Sequence, residues 1–307
     1  MDERIKVGFI GLGNMGGAIA ERLARSSKVT LYVYDQNIAA AERLAALGAH
    51  VEVSARAVAQ AAEIVITCLP HVEACLSTLF GVDGVVGSGN VRHCVEMSTI
   101  GPAAMSDIAT RLEAAGIGAL DSPVSGGAAG ALKGTLAIMI SGKPAVRAAV
   151  APVLAAISDK VFTISDQAGD AQIMKLVNNL LAAANMASAF EALTLGVKLG
   201  LAPEKIIEVV NAGSGRNTGM DERKTGAILS RKFEGLGKIS LLEKDIGLAF
   251  DVATQAGFPL DALPALTGMA QLWERAVGQG MAGQDVSALI KVVEERAGVQ
   301  VRASADY

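Results

Sequence analysis

The chain of 307 residues changes its sequence pattern once, near Asp166, and this change constrains the fold more than any other feature. Before this point, short runs rich in β-branched residues alternate with Ala-rich segments whose apolar residues recur at helical spacing. After it the strand pattern stops, and helical spacing continues to Val293. The first half therefore predicts a parallel, doubly wound α/β sheet covered on both faces, and the second half predicts an all-helical domain.

The same pattern gives bounds for the predicted elements. Strands are predicted at Ile5–Ile10, Val29–Tyr34, Ile64–Leu69, His93–Met97, Ala119–Asp121, Thr135–Ser141 and Lys160–Ile164, with helices such as Gly16–Arg25 and Ile38–Leu47 between them. A helix from about Asp170 to Leu199 would measure roughly 45 Å. Because it is apolar almost all round, we expect it to be buried on most sides, between domains and between subunits. We expect domains at 1–166 and 167–298 and a polar, frayed tail at 299–307.

Composition narrows the class of protein. Hydrophobic residues make up 51% and charged residues 19% of the chain, which argues against extended disorder. The net charge of −4 and the lack of a Lys/Arg cluster predict no nucleic-acid partner. Three cysteines without CxxC spacing, and no signal-peptide pattern after Met1, predict a cytoplasmic protein. Polar residues interrupt the apolar stretch Leu176–Leu201, so no membrane partner is expected.

A GxGxxG pattern at 11–16 directly follows the first strand and opens a helix. Gly11 permits a tight turn, Gly13 lets the backbone approach a pyrophosphate, and Gly16 allows close helix–strand packing. Asp35 closes the second strand about 19 residues later, where a carboxylate bonds the adenosine ribose. The pattern predicts a dinucleotide site and favours NAD over NADP, because no Arg follows Asp35 directly. An ordinary turn with Asp35 as a helix cap, and flavin binding, are the alternatives.

Two other segments are more polar than packing requires. The loop after the strand ending at Asp121 contains Ser125-Gly126-Gly127, whose backbone amides could hold a carboxylate, although these residues are also ordinary loop formers. Lys175 and Asn178-Asn179 share one face of the long apolar helix. A partly desolvated lysine has a lowered pKa, which suits proton transfer, unless its ammonium simply reaches the surface.

Histidine and carboxylate spacing give no pattern of a metal site. His50, His71 and His93 all lie in the first half, without an HxxxH pair or an accompanying carboxylate cluster. We therefore expect metal-free catalysis. His71 follows the segment Cys68-Leu69-Pro70 at a strand end, and it is a second candidate for acid/base work.

Short motifs extend along nearly the whole chain: GLGNMG at 11–16, Leu69-Pro70, Ser98-Thr99, DSPVSGG at 121–127, GTL at 134–136, KLVNN at 175–179 and Lys244-Asp245. In order and spacing they resemble the β-hydroxyacid dehydrogenases. This is the family of 3-hydroxyisobutyrate dehydrogenase and tartronate semialdehyde reductase, related to 6-phosphogluconate dehydrogenase. The resemblance implies hydride transfer between a nicotinamide cofactor and a small 3-hydroxyacid, such as 3-hydroxyisobutyrate or glycerate. Imine reductases are disfavoured because they usually lack a lysine at position 175.

The resemblance also implies residue roles. Lys175 would be the general acid/base and Asn179 would orient the substrate. The other expected substrate-binding residues are Ser125, Gly126, Gly127, Asn178 and Lys244, of which Lys244 would close over the site. The expected cofactor-binding residues are Gly11, Gly13, Asn14, Met15, Gly16, Asp35, Leu69, Pro70, Thr99 and Lys244.

The sequence departs from the family pattern in two places. Gly169 is followed by Asp170-Ala171, where the family often has GxGxxxK, and Lys238 follows a glycine where an aromatic residue is common. The hydroxyacid is therefore left open. Lys238 and Arg216 could bind a second acidic group, or could lie on a solvated surface.

We expect a homodimer or homotetramer. A non-catalytic NAD(H) sensor is the alternative, and retention of Lys175 with Asn179 argues against it.

Overall fold

The computed structural model describes residues 4–304, and the chain forms two compact units, Met1–Lys175 and Leu176–Tyr307. The division falls inside the long helix, whereas the sequence-based boundary at 166 lies before that helix begins. Positions 305–307 of the predicted tail lie outside the described residues.

The first unit is a nine-stranded sheet with helices. Its strands are β1 (Ile5–Ile10), β2 (Val29–Tyr34), β3 (His50–Val51), β4 (Ile64–Thr67), β5 (His93–Glu96), β6 (Gly118–Asp121), β7 (Val124–Ser125), β8 (Ala137–Ser141) and β9 (Lys160–Ser165). Its helices are α1 (Asn14–Ala24), α2 (Ile38–Ala45), α3 (Ala55–Ala61), α4 (Val72–Phe80), α5 (Pro102–Ala114), α6 (Gly127–Lys133), α7 (Pro144–Ile157) and the start of α8 (Asp170–Lys198).

The strand order is β3-β2-β1-β4-β5-β6-β8-β7, with β9 paired to β8. The chain moves to one side of β1 with β2 and β3, and then to the other side with β4. The carboxyl ends of β1 and β4 therefore flank the switch point of the sheet, where doubly wound folds bind ligands. Strands β1 to β6 are parallel, and the bounds of β1, β2, β4, β5 and β6 agree with the predicted strands to within two residues.

One part of the sheet differs from the all-parallel prediction. Strand β8 runs antiparallel to both β6 and β7, and neither β3 nor β7 was anticipated. A parallel pairing needs a crossover of about a dozen or more residues. The segment 126–136 between β7 and β8 has 11 residues and contains the short helix α6, and the chain returns through it in the opposite direction. The resulting fold class is the predicted one, a Rossmann-type sheet followed by helices.

Both faces of the sheet are covered by apolar side chains. One cluster contains Phe9 and Ile19, and a second contains Val65, Leu79 and Ile108. Burial on both faces explains why the central strands are almost continuously apolar instead of alternating. This packing fixes the strand ends from which the polar loops extend.

The secondary-structure elements of the second unit, among its described residues, are helices joined by loops. It comprises most of α8 together with α9 (Pro203–Ala212), α10 (Glu222–Leu229), α11 (Ile239–Gln255), α12 (Pro264–Gly278) and α13 (Ile290–Ala297). Its core surrounds the fully buried Trp273 and includes Phe190 and Leu193 of α8. The helical second half is therefore confirmed.

Helix α8 is long and apolar enough, by length and composition, to cross a membrane, and it is the one such helix among residues 4–304. Buried core helices of soluble proteins pass the same test, and Phe190 of α8 belongs to the core of the second unit. The expected burial on most sides is not met within a single chain. Val177, Leu181 and Leu195 are 45%, 58% and 59% exposed, because no element among the described residues covers them.

The tail was expected to be frayed, but its described part is bonded to the second unit. Val301 is fully buried, and the backbone N–H of Ala303 donates to the carbonyl of Leu229. The backbone N–H and hydroxyl of Ser304 donate to the carboxylate of Glu204 at 2.7 and 2.9 Å. Because these bonds fix the backbone, residues 299–304 continue the unit.

Candidate active site

The three motif glycines of the first loop are required for different reasons. Gly11 has φ +95°, and a Cβ there would lie 2.4 Å from the carbonyl oxygen of Cys68. A Cβ on Gly16 would lie 2.0 Å from the carbonyl oxygen of Gly11. A Cβ on Gly13, in contrast, would meet no atom within 4 Å. Packing of the protein itself thus explains Gly11 and Gly16, whereas Gly13 faces open space that a ligand can occupy.

Asp35, at the end of β2, is bonded to this loop. Its Oδ2 accepts a hydrogen bond from the backbone N–H of Leu12 at 2.6 Å, and its Oδ1 accepts one from Asn37 at 2.7 Å. Helix α2 begins after Asn37, so Asp35 is not its N-cap. The carboxylate and the open position of Gly13 fit a dinucleotide, because one can accept ribose hydroxyls and the other admits a pyrophosphate.

A cavity of about 460 Å³ lies against the same loop. Its lining includes Gly13, Asn14 and Asn37, and also Arg43 of α2, which sequence reasoning did not consider. A Cβ on Gly17 would meet the Arg43 guanidinium at 2.6 Å, so this cation lies over the start of α1. Of the other loop residues, Met15 packs against the core of the first unit.

A buried glutamate joins the two other predicted cofactor segments. Glu96, at the end of β5, accepts hydrogen bonds from the Thr67 hydroxyl and the Ser98 backbone N–H, each at 2.8 Å. The Ser98 hydroxyl in turn accepts from the backbone N–H of Leu69 at 2.7 Å. Burial raises the pKa of Glu96. This network fixes the loops that carry Leu69-Pro70 and Thr99 at adjacent strand ends.

The predicted carboxylate-binding loop follows directly after β7. Ser125 ends that strand, and Gly126 and Gly127 have φ values of +132° and +70°. Residues other than glycine rarely adopt these values. The sequence therefore needs both glycines to turn the chain from β7 into α6.

Lys175 lies in the second turn of α8 and is 9% exposed. Its charge acts on Cys68, which follows β4. Burial, with the charge of Glu96, raises the pKa of the Cys68 thiol to about 12, and the Lys175 ammonium opposes this rise. Lys175 is therefore close, in electrostatic terms, to the strand end that carries Leu69-Pro70.

The second unit contains its own polar cluster. The amide of Asn179 donates to Oδ2 of Asp245 at 2.6 Å, and the ammonium of Lys244 lies 2.9 Å from Oδ1 of the same carboxylate. The amide of Asn178 donates to the side-chain oxygen of Asn179 at 3.1 Å. Asp245 is 7% exposed. One buried carboxylate thus links two residues that sequence reasoning assigned to substrate binding.

Several residues of these networks were missed or assigned no role in the sequence. Glu96, Gln172 and Asp245 are buried polar residues within otherwise apolar segments, and that mismatch was the available signal. His71 was a second acid/base candidate, but its Nδ1 accepts from the backbone N–H of Ala74 and caps α4.

The sequence also offered Arg216 and Lys238 as ligands of a second acidic group, and predicted no metal site. Arg216 and Lys238 are both exposed in the second unit. Among residues 4–304 no group of three or more His, Cys, Asp or Glu side chains could hold a metal ion.

The sheet, its switch point and the glycine loop define a dinucleotide-binding protein of the Rossmann type. Residues 6–165 match the family described as the NAD-binding domain of 6-phosphogluconate dehydrogenase, and residues 169–293 match the NAD-binding domain of NADP-dependent 3-hydroxyisobutyrate dehydrogenase. The chain belongs to the β-hydroxyacid dehydrogenase family.

Individual relatives agree with this membership. The chain is 39% identical to 2-(hydroxymethyl)glutarate dehydrogenase of Eubacterium barkeri, over 98% of this chain and 99% of that protein. It is 36% identical to 3-hydroxyisobutyrate dehydrogenase of Pseudomonas aeruginosa, over 84% and 89%. The crystal structure of a 3-hydroxyisobutyrate dehydrogenase from Salmonella typhimurium superposes with a TM-score of 0.85 at 30% identity, over 94% and 99%. The protein is an NAD(P)-dependent oxidoreductase that acts on the hydroxyl group of hydroxyacids.

Proposed function

We propose that the protein oxidises a small 3-hydroxyacid with Lys175 as the general base, and reduces the product with Lys175 as the general acid. The observation that carries this proposal is the position of Lys175, a buried ammonium at the start of α8 whose charge acts on the end of β4. Burying an ammonium is costly, and a buried cation whose charge acts on the end of β4 is typical of a functional site.

The roles proposed for the chain's other residues are those that the family resemblance implies. The uncharged amine of Lys175 takes the hydroxyl proton, and the C–H and O–H bonds are replaced by a carbonyl. Bound NAD supplies the acceptor for the hydride that leaves the same carbon. Ser125, Gly126 and Gly127 hold the substrate carboxylate, and Asn179 orients the hydroxyl-bearing carbon, with Asn178 and Lys244 beside it.

We further propose that the substrate carries a hydroxymethyl group on the carbon next to its carboxylate. 3-Hydroxyisobutyrate and 2-(hydroxymethyl)glutarate, named for two relatives, share this unit and differ in their remaining substituent. A second carboxylate, as in the glutarate, needs a cation, for which Arg216 and Lys238 are the candidates. Their exposure leaves both side chains able to move toward a ligand.

The proposed cofactor is NAD. The support is the carboxylate of Asp35, which would repel the 2′-phosphate of NADP and accept the ribose hydroxyls of NAD. Arg43, which lines the same cavity, is a cation that would instead attract the 2′-phosphate of NADP if it reached that position. The ratio of kcat/KM for NAD to that for NADP separates these effects: Asp35→Ser should lower it at least tenfold, whereas Arg43→Ala should change it little.

Self-association is also proposed, as a homodimer or homotetramer. The support is the row of exposed apolar side chains on α8, including Leu181 and Leu195, which water covers in a single chain. Analytical ultracentrifugation tests this directly. Leu181→Glu with Leu195→Glu should yield monomers, and a wild-type protein that sediments as a monomer would contradict the proposal.

The central test is absorbance of reduced nicotinamide with purified protein, NAD or NADP, and a panel of acids. The panel contains 3-hydroxyisobutyrate, 2-(hydroxymethyl)glutarate, serine, threonate and glycerate, with isobutyrate as the acid that lacks a hydroxyl. Lys175→Ala should abolish turnover, whereas Lys198→Ala, an exposed lysine on the same helix, should not. NAD binding without turnover of any acid would instead favour a sensor, and full turnover by Lys175→Ala would remove Lys175 from the mechanism.

A further inference from the structure

The side chain of Gln172, in the first turn of α8, is fully buried and uses its whole hydrogen-bonding capacity. Its Oε1 accepts from the backbone N–H groups of Ile100 and Gly101 at 2.9 and 3.2 Å. Its Nε2 donates to the carbonyl of Ser98 at 3.1 Å and to Oδ1 of Asp121 at 2.7 Å. One amide therefore joins the loop after β5, the end of β6 and the start of α8.

The side chain of Asp121 binds the backbone of the same turn. Its Oδ2 accepts from the backbone N–H groups of Gly169 and Gln172 at 2.9 and 3.2 Å, as an N-cap carboxylate does, although it comes from another element. Gly169 has φ +107°, and a Cβ there would lie 3.0 Å from the carbonyl oxygen of Pro102. The start of α8 is thus fixed in position as well as in direction.

We infer that Gln172, oriented by Asp121, is a positioning residue that holds Lys175 in register with the loop Ser98–Gly101. The inference rests on the proposed function, in which Lys175 transfers the proton. Lys175 follows Gln172 by three residues, so the two are neighbours on the helix surface. The loop carries Thr99, a predicted cofactor contact, between residues that bond the Gln172 amide. Displacement of a catalytic group by about 1 Å costs on the order of 100-fold in rate.

The polarity of the network admits only one arrangement. Oε1 of Gln172 faces two N–H donors, and Nε2 faces two acceptors, so the amide cannot be flipped. Gln172→Glu places a carboxylate oxygen against Oδ1 of Asp121. Asp121→Asn places an N–H donor against Nε2 of Gln172, if its oxygen still caps the helix. Combining the two changes restores a donor opposite an acceptor between positions 121 and 172, and the remaining mismatch is a carboxylate oxygen that faces the Ser98 carbonyl oxygen.

This reciprocity gives the test. We would measure kcat and KM for the hydroxyacid, thermal unfolding, and hydrogen exchange of residues 170–175 in both single variants and the double variant. The matched control is Gln167→Glu, which makes the same chemical change at an exposed position. Each single variant should lose on the order of 10- to 100-fold in kcat with KM changed less than threefold. The double variant should recover on the order of tenfold over Gln172→Glu, and the control should match wild type.

The outcomes separate this inference from the proposed function. Folded Gln172→Glu with kcat within twofold of wild type, or a double variant no better than either single variant, would overturn the inference. If Gln172→Glu fails to fold, the double variant is compared with Asp121→Asn, and equal or lower kcat in the double variant would overturn it. If Lys175→Ala retains turnover, the proposed function fails by itself. Faster hydrogen exchange of residues 170–175 in the single variants would then still show that Gln172 and Asp121 hold the start of α8. Unchanged exchange would refute that role.

Discussion

Replacing Gly13 and Gly16 one at a time by alanine separates ligand binding from folding. Gly13 has φ −60° and ψ −168°, which alanine adopts without strain, and its Cβ would meet no protein atom. Gly13 is the N-cap of α1, where alanine is less favourable than glycine, and this cost offsets the reduced freedom of the unfolded chain. We therefore expect Gly13→Ala to change the free energy of unfolding by less than about 1 kcal/mol and the melting temperature by less than about 4 °C.

The expected loss in Gly13→Ala is in cofactor binding. A methyl group in the open space keeps the backbone away from the pyrophosphate, and one hydrogen bond to a charged group is worth about 1.5–3 kcal/mol. This loss corresponds to roughly 10- to 150-fold in the dissociation constant of NAD. Fluorescence titration with NADH measures it, and differential scanning fluorimetry gives the stability of the same sample.

Gly16→Ala should behave in the opposite way. Its Cβ would lie 2.0 Å from the carbonyl oxygen of Gly11, so the backbone itself must move. Overpacking of this kind costs about 1–3 kcal/mol or more, and the melting temperature should fall by several degrees. Wild-type affinity for NADH in Gly13→Ala would refute the assignment of the open space to the cofactor, and an unchanged melting temperature in Gly16→Ala would refute the packing argument.

Three further predictions concern buried polar groups. Asp245→Asn leaves one acceptor for two donors and should lower kcat/KM for the hydroxyacid at least tenfold, since a bond to a charged group is worth about 1.5–3 kcal/mol. The control is Asp251→Asn, at an exposed position on the same helix. Equal kinetics in the two variants would contradict the expectation. Burial raises the pKa of Asp121 from 3.8 to about 6, so folding favours the protonated form of its carboxyl. The contribution of Asp121 to the free energy of unfolding should therefore fall by at most about 3 kcal/mol between pH 4 and 6, and should be constant above pH 6. Urea unfolding of wild type against Asp121→Asn across this range isolates the slope, which the variant should lack; parallel curves would contradict the prediction. Burial raises the pKa of all three cysteine thiols, so iodoacetamide at pH 8 should modify them only after denaturation. Mass spectrometry of the native and the denatured protein checks this, and labelling of Cys68 in the native protein would contradict it.

The order of strands and helices could be predicted because burial on both faces makes the strands short, continuously apolar runs, whereas the segments between them have apolar residues at helical spacing. The glycine loop could be found because each motif glycine has a local steric or ligand-binding reason. The reversal of β8 could not, since strand direction depends on which strands pair. Domain bounds, site roles, NAD preference, assembly and cytoplasmic location stay predictions.

The networks of Glu96, Gln172 and Asp245 were also beyond sequence reasoning. Each depends on partners 29 to 74 residues away in the chain, and periodicity carries no information about such pairs. What the sequence does provide is the mismatch between a polar residue and its apolar neighbours. Buried groups of this kind need partners, and their presence predicts a network without identifying it.

Helix α8 continues across the division between the two units at Lys175, and this continuity sets an order of events during synthesis. A nascent chain that ends near Lys175 contains the whole sheet but only six residues of the helix. A helix that short is marginal even when its first turn is capped, because nucleation is costly. The sheet and the bonded first turn of α8 can therefore form first, and the helix beyond Lys175 is completed when the later residues have left the ribosome.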